Sequence, residues 1–167
     1  MSRMPGRARA KNEIPFKRPV ERFGRASSPV LYTTRETSSR MARVRQSGSA
    51  LELAVRQACW ATGMRFTLSN RDLPGAPDLA NRSRRWAIFV HGCFWHRHDC
   101  ALATTPKSNR AYWAEKFARN VARDKAARLA LSRLGFRVLT LWGCEVQRED
   151  VLRKRIRQFA RHIQSPG

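Results

Sequence analysis

Ten consecutive residues constrain this chain more than any others: His91-Gly92-Cys93-Phe94-Trp95-His96-Arg97-His98-Asp99-Cys100. Three of the four histidines and two of the four cysteines fall in this window. That density exceeds any core-packing need, so the fold must carry a loop on which imidazoles and thiols converge. Zinc takes four nitrogen or sulfur donors in a tetrahedron. Cys93, His98 and Cys100 supply three. Cys144 supplies a fourth if the strand before it lies beside the one ending at Val90; otherwise it is a small buried residue. The spacing is not that of a zinc finger. Cys59 falls on the inner face of a helix and reads as core. Four cysteines also allow two disulfides, but nothing suggests secretion, so the thiols read as reduced and the chain as cytoplasmic.

A loop clamped by metal holds its other side chains rigidly. His91 and His96 remain outside the zinc set and are free for chemistry. Phe94 and Trp95 sit between ligands at the top of the loop. Adjacent exposed aromatics on a basic protein suggest insertion between bases; the alternative is that one of them packs on the sheet.

The charge is the second constraint. The chain has 167 residues, 34 basic and 12 acidic, for a formal net charge of +22. Such a surface attracts polyanions and loses that attraction in salt. Nucleic acid is the leading partner, with an anionic membrane surface as the rival. No run of 18 apolar residues exists to span a bilayer, and the basic, Arg- and Ser-rich start lacks the apolar core of a signal peptide, though it could mimic a transit peptide. Residues 1–49 hold 12 basic and 3 acidic residues, and the remainder 22 and 9, so the folded part is itself basic. Residues 1–38, with four prolines and no sustained period, read as a disordered basic tail. Residues 39–167 read as one domain, whose hydrophobic content is sufficient for a packed core.

Within that domain, Ser49 and Glu52 stand at capping-box spacing ahead of a helical period through Leu51, Val55 and Cys59, with Gly63 as its stop. Residues 64–69 alternate as a strand would. Leu73-Pro-Gly-Ala-Pro77 is a rigid turn, and residues 78–80 form a short strand. Trp86–Val90 is a nearly continuous apolar run, as in a strand buried on both faces. A long helix is predicted from about Ala111 to Leu134, with Trp113, Phe117 and Val121 on one face. A strand over residues 137–142 and an amphipathic helix over 147–163 complete the order: helix, three strands, helix, strand, helix, an α/β sandwich.

Metal-assisted phosphodiester cleavage needs a carboxylate for a hard cation and a base for water. Asp78, set at a strand start by Pro77, is the leading carboxylate, with turn capping as its alternative. Glu52 reads as a capping-box acid, a functional acid, or both. Asp124 lies mid-helix among basic residues, either as a solvated ion pair or as the group that fixes a histidine tautomer.

These segments, in this order, resemble the very-short-patch repair (Vsr) endonucleases. The resemblance spans roughly Ser38 to Val146. It rests on Met41-Ala-Arg-Val-Arg45, Leu73-Pro-Gly-Ala-Pro-Asp78, Phe89-Val-His-Gly-Cys-Phe-Trp-His96 with His98 and Cys100, Pro106 with Trp113-Ala-Glu-Lys116, Arg119-Asn-Val-Ala-Arg-Asp124, and Trp142-Gly-Cys-Glu145. It implies a restriction-endonuclease-like fold of the PD-(D/E)XK type, a mixed sheet flanked by helices with a structural zinc on Cys93, His98, Cys100 and Cys144. It further implies Asp78 as magnesium ligand, aided by the Val90 carbonyl, His91 and His96 as catalytic histidines with Asp124 holding one of them, and Glu52 supporting the metal–water network. Phe94, Trp95 and Trp113 correspond to an aromatic wedge. Met41, Arg43, Arg45, Arg97 and Arg119 are the expected DNA-binding residues around it. The implied activity is nicking 5′ of the T in a T:G mismatch left by 5-methylcytosine deamination. The implied partners are double-stranded DNA carrying that mismatch, mismatch-repair proteins and, functionally, a cytosine-C5 DNA methyltransferase, for a monomer without a membrane.

Three positions depart from the family pattern: Val90 where Thr is common, Gly143 where Glu is common, and Ser49-Ala50-Leu51 in place of Thr-Lys-Pro. The rival functions are a nicking endonuclease of the same fold without mismatch selectivity, and a zinc-dependent DNA-binding module without catalysis.

Overall fold

The computed structural model describes residues 50–164. Its elements are α1 (Ala50–Ala61), β1 (Leu79–Asn81), β2 (Trp86–His91), α2 (Cys93–His96), α3 (Arg110–Arg133), β3 (Arg137–Trp142), α4 (Gly143–Val146) and α5 (Glu149–Gln164). The strands form a mixed sheet in the order β1-β2-β3. β1 runs antiparallel to β2, with Leu79 opposite Ile88. β3 runs parallel to β2, with Trp86 opposite Arg137 and His91 opposite Trp142.

The continuous apolar run of β2 is explained by burial on both faces. Side chains alternate along a strand, so Trp86 and Ile88 enter one core with Val55 and Cys59 of α1, Leu141 of β3, and Ile156 of α5. Ala87 and Phe89 enter a second core with Ala127 and Leu131 of α3. Helices therefore cover both faces of the sheet. By the same alternation His91 shares a face with Phe89, whose ring centroid lies 5.6 Å from its own, and is directed toward α3.

Two expectations are corrected. Residues 64–69 do not form a strand: one isolated bridge, Thr67 with Ala80, is all the pairing there. Ser69 adopts a left-handed φ of 57°, which ends the extension, and Leu68 is exposed. The described sheet therefore has three strands, not four. Val121 is exposed rather than packed. The inward stripe of α3 runs through Phe117, Ala127 and Leu131, and Val121 lies one residue, about 100°, away from Asn120 on that face. Two single-turn helices, α2 and α4, were not anticipated. The expected tail, the Ser49 cap, and Met41, Arg43 and Arg45 lie outside the described residues.

The rigid turn before Asp78 packs closely. Gly75 has φ +75°, and a Cβ there would lie 2.5 Å from the Ala127 Cβ and 3.2 Å from the Phe89 ring. Only glycine satisfies both the backbone conformation and this approach.

Candidate metal centre and catalytic cluster

The parallel pairing of β2 with β3 builds the site. Their carboxyl ends, His91 and Trp142, are register partners, so the chain leaves both strands at the same edge. In open α/β sheets this is where ligands bind. Cys93 stands two residues past one strand end and Cys144 two past the other. They meet across 51 residues of sequence, with the Cys144 N–H donating to Cys93 Sγ at 3.4 Å. The donor atoms of Cys93, His98, Cys100 and Cys144 all lie within 4.8 Å of one another. His98 Nδ1 is 3.3 Å from Cys144 Sγ and 3.8 Å from Cys93 Sγ. A tetrahedron with metal–sulfur bonds of about 2.3 Å and metal–nitrogen bonds of about 2.0 Å has edges of roughly 3.5–3.8 Å. The set therefore fits a tetrahedral thiolate–imidazole metal.

The surrounding residues fix this set. The His98 ring stacks on Trp142 at 4.5 Å and 15°. The Trp142 N–H donates to Glu145 Oε2 at 3.0 Å, which ties down the turn presenting Cys144. Cys59 lies elsewhere, in the core, where burial pushes its thiol up to about 12. It is a packing residue, as its position in the helical period suggests.

His91, His96 and Asp124 form the second cluster. The two imidazoles stack at 3.8 Å and 10°. Asp124 Oδ2 is 2.5 Å from His96 Nδ1 and 3.9 Å from His91 Nδ1. Asp124 therefore orients His96. With Nδ1 facing this carboxylate, Nε2 is the His96 ring nitrogen left for another partner. His91 is buried, and that burial, reinforced by His96 and by Arg128 and Arg123, pulls its pKa down to about 4. His91 is accordingly a neutral imidazole at pH 7.

Asp78 precedes β1, and its Oδ2 accepts the Val90 N–H at 2.7 Å, next to His91. Burial pushes its carboxyl up to about 6; the negative charge of Glu52 adds to the rise and the Val90 hydrogen bond opposes it. Glu52 is buried on α1 and pairs with Arg56 at 3.0 Å. The two acids thus sense each other in a site of low dielectric, an arrangement that a cation would relieve.

The aromatics form a cluster. Phe94 lies 5.0 Å from Trp95, 5.5 Å from Trp113 and 5.3 Å from Phe117. Trp95 and Trp113 are 6.0 Å apart. All three expected wedge residues come together, half-buried rather than fully exposed. Lys116 Nζ sits 5.1 Å from the Trp95 ring centroid. Asn120 Nδ2 donates to the Trp95 carbonyl at 3.0 Å, pinning α2 to α3.

Arg97 turns inward. Its guanidinium donates to the Ala103 carbonyl at 2.8 Å and the Thr104 carbonyl at 3.0 Å, and lies 4.7 Å from the Phe117 ring centroid. Arg119 is exposed beside Glu115 at 3.6 Å. Sequence reasoning missed Glu145, Asn120 and the stacking role of Trp142. Glu145 had a signal, since an acid three residues after a strand end can close a first turn.

Comparison with known proteins gives the family. The family model described as DNA mismatch endonuclease Vsr matches residues 30–102. The chain is 44% identical over 119 residues to the type II nicking enzyme V.XorIIP of Xanthomonas oryzae pv. oryzae, covering 71% of this chain and 88% of that protein. The chain belongs to the Vsr family of DNA mismatch endonucleases. Two further relatives are the DNA mismatch endonuclease Vsr of Escherichia coli K12, 35% identical over 115 residues, 69% of this chain and 74% of the relative, and the type II nicking enzyme V.NmeAIP of Neisseria meningitidis, 31% identical over 133 residues, 80% and 95%. Among the described residues of this Vsr-family chain, no helix is long and apolar enough to cross a membrane.

Proposed function

We propose that this Vsr-family protein is a magnesium-dependent endonuclease with a structural zinc, nicking 5′ of the T in T:G mismatches that arise from 5-methylcytosine deamination. The observation that carries the reading is the row Asp124–His96–His91 at the carboxyl end of β2, beside Asp78 and next to a four-donor metal set. A binding module needs no oriented imidazole and no buried carboxylate with a raised pKa; a hydrolase does. The fold in this reading is a reduced restriction-endonuclease-like core of the PD-(D/E)XK type.

Cys93, His98, Cys100 and Cys144 hold the zinc, which contributes folding free energy. Asp78, with the Val90 carbonyl, holds magnesium, and Glu52 orders the water around it. Magnesium bound there supplies charge neutralisation at the scissile phosphate. The chain's own residues do the rest. His96, its tautomer fixed by Asp124, accepts the proton of the attacking water at Nε2. His91, neutral, offers a hydrogen bond to the phosphate rather than a charge. Phe94, Trp95 and Trp113 enter the base stack, where unstacking costs a few kcal/mol per step and least at a poorly stacked wobble pair. Arg119, with Met41, Arg43 and Arg45, contacts the backbone, the arginines adding affinity that falls with salt. Arg97 belongs to the same set, with three of its five N–H groups engaged by the loop over residues 103–105. The protein acts as a cytoplasmic monomer on double-stranded DNA, in the same pathway as a cytosine-C5 methyltransferase and alongside mismatch-repair proteins.

The test is a nicking assay on T:G-mismatched and matched duplexes, with and without magnesium. Magnesium-dependent nicking confined to the mismatch supports the reading. Equal nicking of matched DNA would leave an unselective nicking endonuclease, and absence of nicking on both would leave a binding module.

A further inference from the structure

The turn that delivers Asp78 contains a buried polar residue that neither metal nor DNA accounts for. Asn70 is 1% exposed, and its side chain makes four hydrogen bonds. Nδ2 donates to the Thr67 carbonyl at 3.0 Å and to the Pro77 carbonyl at 3.0 Å. Oδ1 accepts from Thr67 Oγ1 at 2.7 Å and from Arg82 at 3.1 Å. A carboxamide has two N–H donors and two acceptor lone pairs, so every one is used. Arg82 also donates from Nη2 to both carboxylate oxygens of Asp72, at 2.7 and 2.8 Å.

The Pro77 carbonyl belongs to the peptide that leads into Asp78. On the other side of Asp78, Thr67 and Ala80 exchange backbone hydrogen bonds at 2.7 and 3.2 Å. The backbone is therefore pinned both before and after Asp78, and both pins run through the Thr67–Asn70 unit. The Asp78 carboxylate is pinned a third time by Val90. An apolar residue at position 70 would fill the space but take the Asn70 donor from the Pro77 carbonyl and leave the Thr67 carbonyl with the Ala80 N–H alone, at a cost in buried surroundings that the turn need not bear merely to reverse the chain.

We infer that Asn70 is a positioning residue, which holds the Pro77–Asp78 peptide so that the Asp78 carboxylate meets its cation preorganised. The inference rests on the reading of Asp78 as the magnesium ligand. Preorganised ligands bind a hard cation without an ordering cost, and loosening the peptide restores that cost. The loss then falls on metal affinity, not on DNA affinity.

The experiment uses the full-length, zinc-loaded protein and three variants: Asn70→Ala, Arg82→Ala and Asp78→Ala. Nicking of a T:G duplex is followed against magnesium concentration, DNA binding is measured without magnesium, and the thermal shift caused by magnesium is measured without DNA. Asn70→Ala is expected to bind DNA as the parent does and to need about tenfold more magnesium for half-maximal nicking, the fold-change of one net hydrogen bond. Excess magnesium restores most of the rate, and the magnesium-induced thermal shift shrinks. An unchanged magnesium midpoint overturns the inference. If Asn70→Ala does not fold, Arg82→Ala decides: it touches Asn70 and Thr67 from the surface and should raise the midpoint by a smaller factor, and an unchanged midpoint overturns the inference equally. Normal nicking by Asp78→Ala defeats the reading of Asp78 itself. An inactive Asp78→Ala beside an Asn70→Ala with the parent's magnesium dependence defeats only the role given to Asn70.

Discussion

Replacing Asp78 with asparagine should stabilise the protein while abolishing its activity. Burial and Glu52 raise the Asp78 pKa from 3.8 to about 6. The folded state therefore holds a proton that the unfolded state releases between those values, and stability falls as pH rises through that window. At pH 7.5 the full penalty applies, roughly 3 kcal/mol. At pH 5 it is about half of that. Asparagine keeps an oxygen for the Val90 N–H and carries no charge, so Asp78→Asn recovers this penalty. For a domain of this size, 3 kcal/mol is on the order of 10 °C in melting temperature. The assay is thermal or urea unfolding of both proteins in magnesium-free buffer across pH 5 to 7.5, with nicking measured in parallel. A variant that is less stable at pH 7.5, or a gap that does not narrow toward pH 5, would refute the account of Asp78 as a charge held in unfavourable surroundings for a cation.

Three further outcomes are expected. Elemental analysis should find one zinc per chain, and Cys100→Ala should lose it and unfold or aggregate, since the four donors close a structural set; a stable, zinc-free Cys100→Ala would count against this. His96→Ala should lower the nicking rate by roughly 10²–10⁴, the usual contribution of a general base, and Asp124→Asn should lower it through the same imidazole, so the double variant should be little worse than His96→Ala. Gly75→Ala should cost about 1–3 kcal/mol in urea unfolding, because its methyl group meets the Ala127 Cβ; an unchanged midpoint would mean that the turn yields.

Much of the site was legible because its signals are local. Cys93, His98 and Cys100 sit within eight residues, and Asp78 follows a turn whose prolines and glycine fix its path. Cys144 was legible only conditionally, since its partnership depends on β3 lying parallel and adjacent to β2, a long-range fact. The failures are tertiary as well. Residues 64–69 have the alternation of a strand, yet Ser69 breaks the extension and only Thr67 finds a partner. Val121 fits a helical period with Phe117, but the sheet beneath α3 meets Asp124 and Ala127 instead. The loop over residues 103–105 engages Arg97, a contact that its sequence neighbours do not signal. Asn70 gave no signal, because a buried asparagine in a turn looks like any other turn residue until its four partners are known.

The separation of 51 positions from Cys93 to Cys144 has a consequence for synthesis. The zinc proposed for those two cysteines would turn the intervening chain into a ring, and His96, the aromatic cluster and Asp124 all lie inside it. Asp124 reaches His96 only when α3 docks on a sheet whose last strand lies downstream. A nascent chain that has emerged only to α3 carries both histidines and the carboxylate but has no completed β3 and no closed ring. On the proposed reading, the cutting centre is complete only once the last strand and its cysteine have been made.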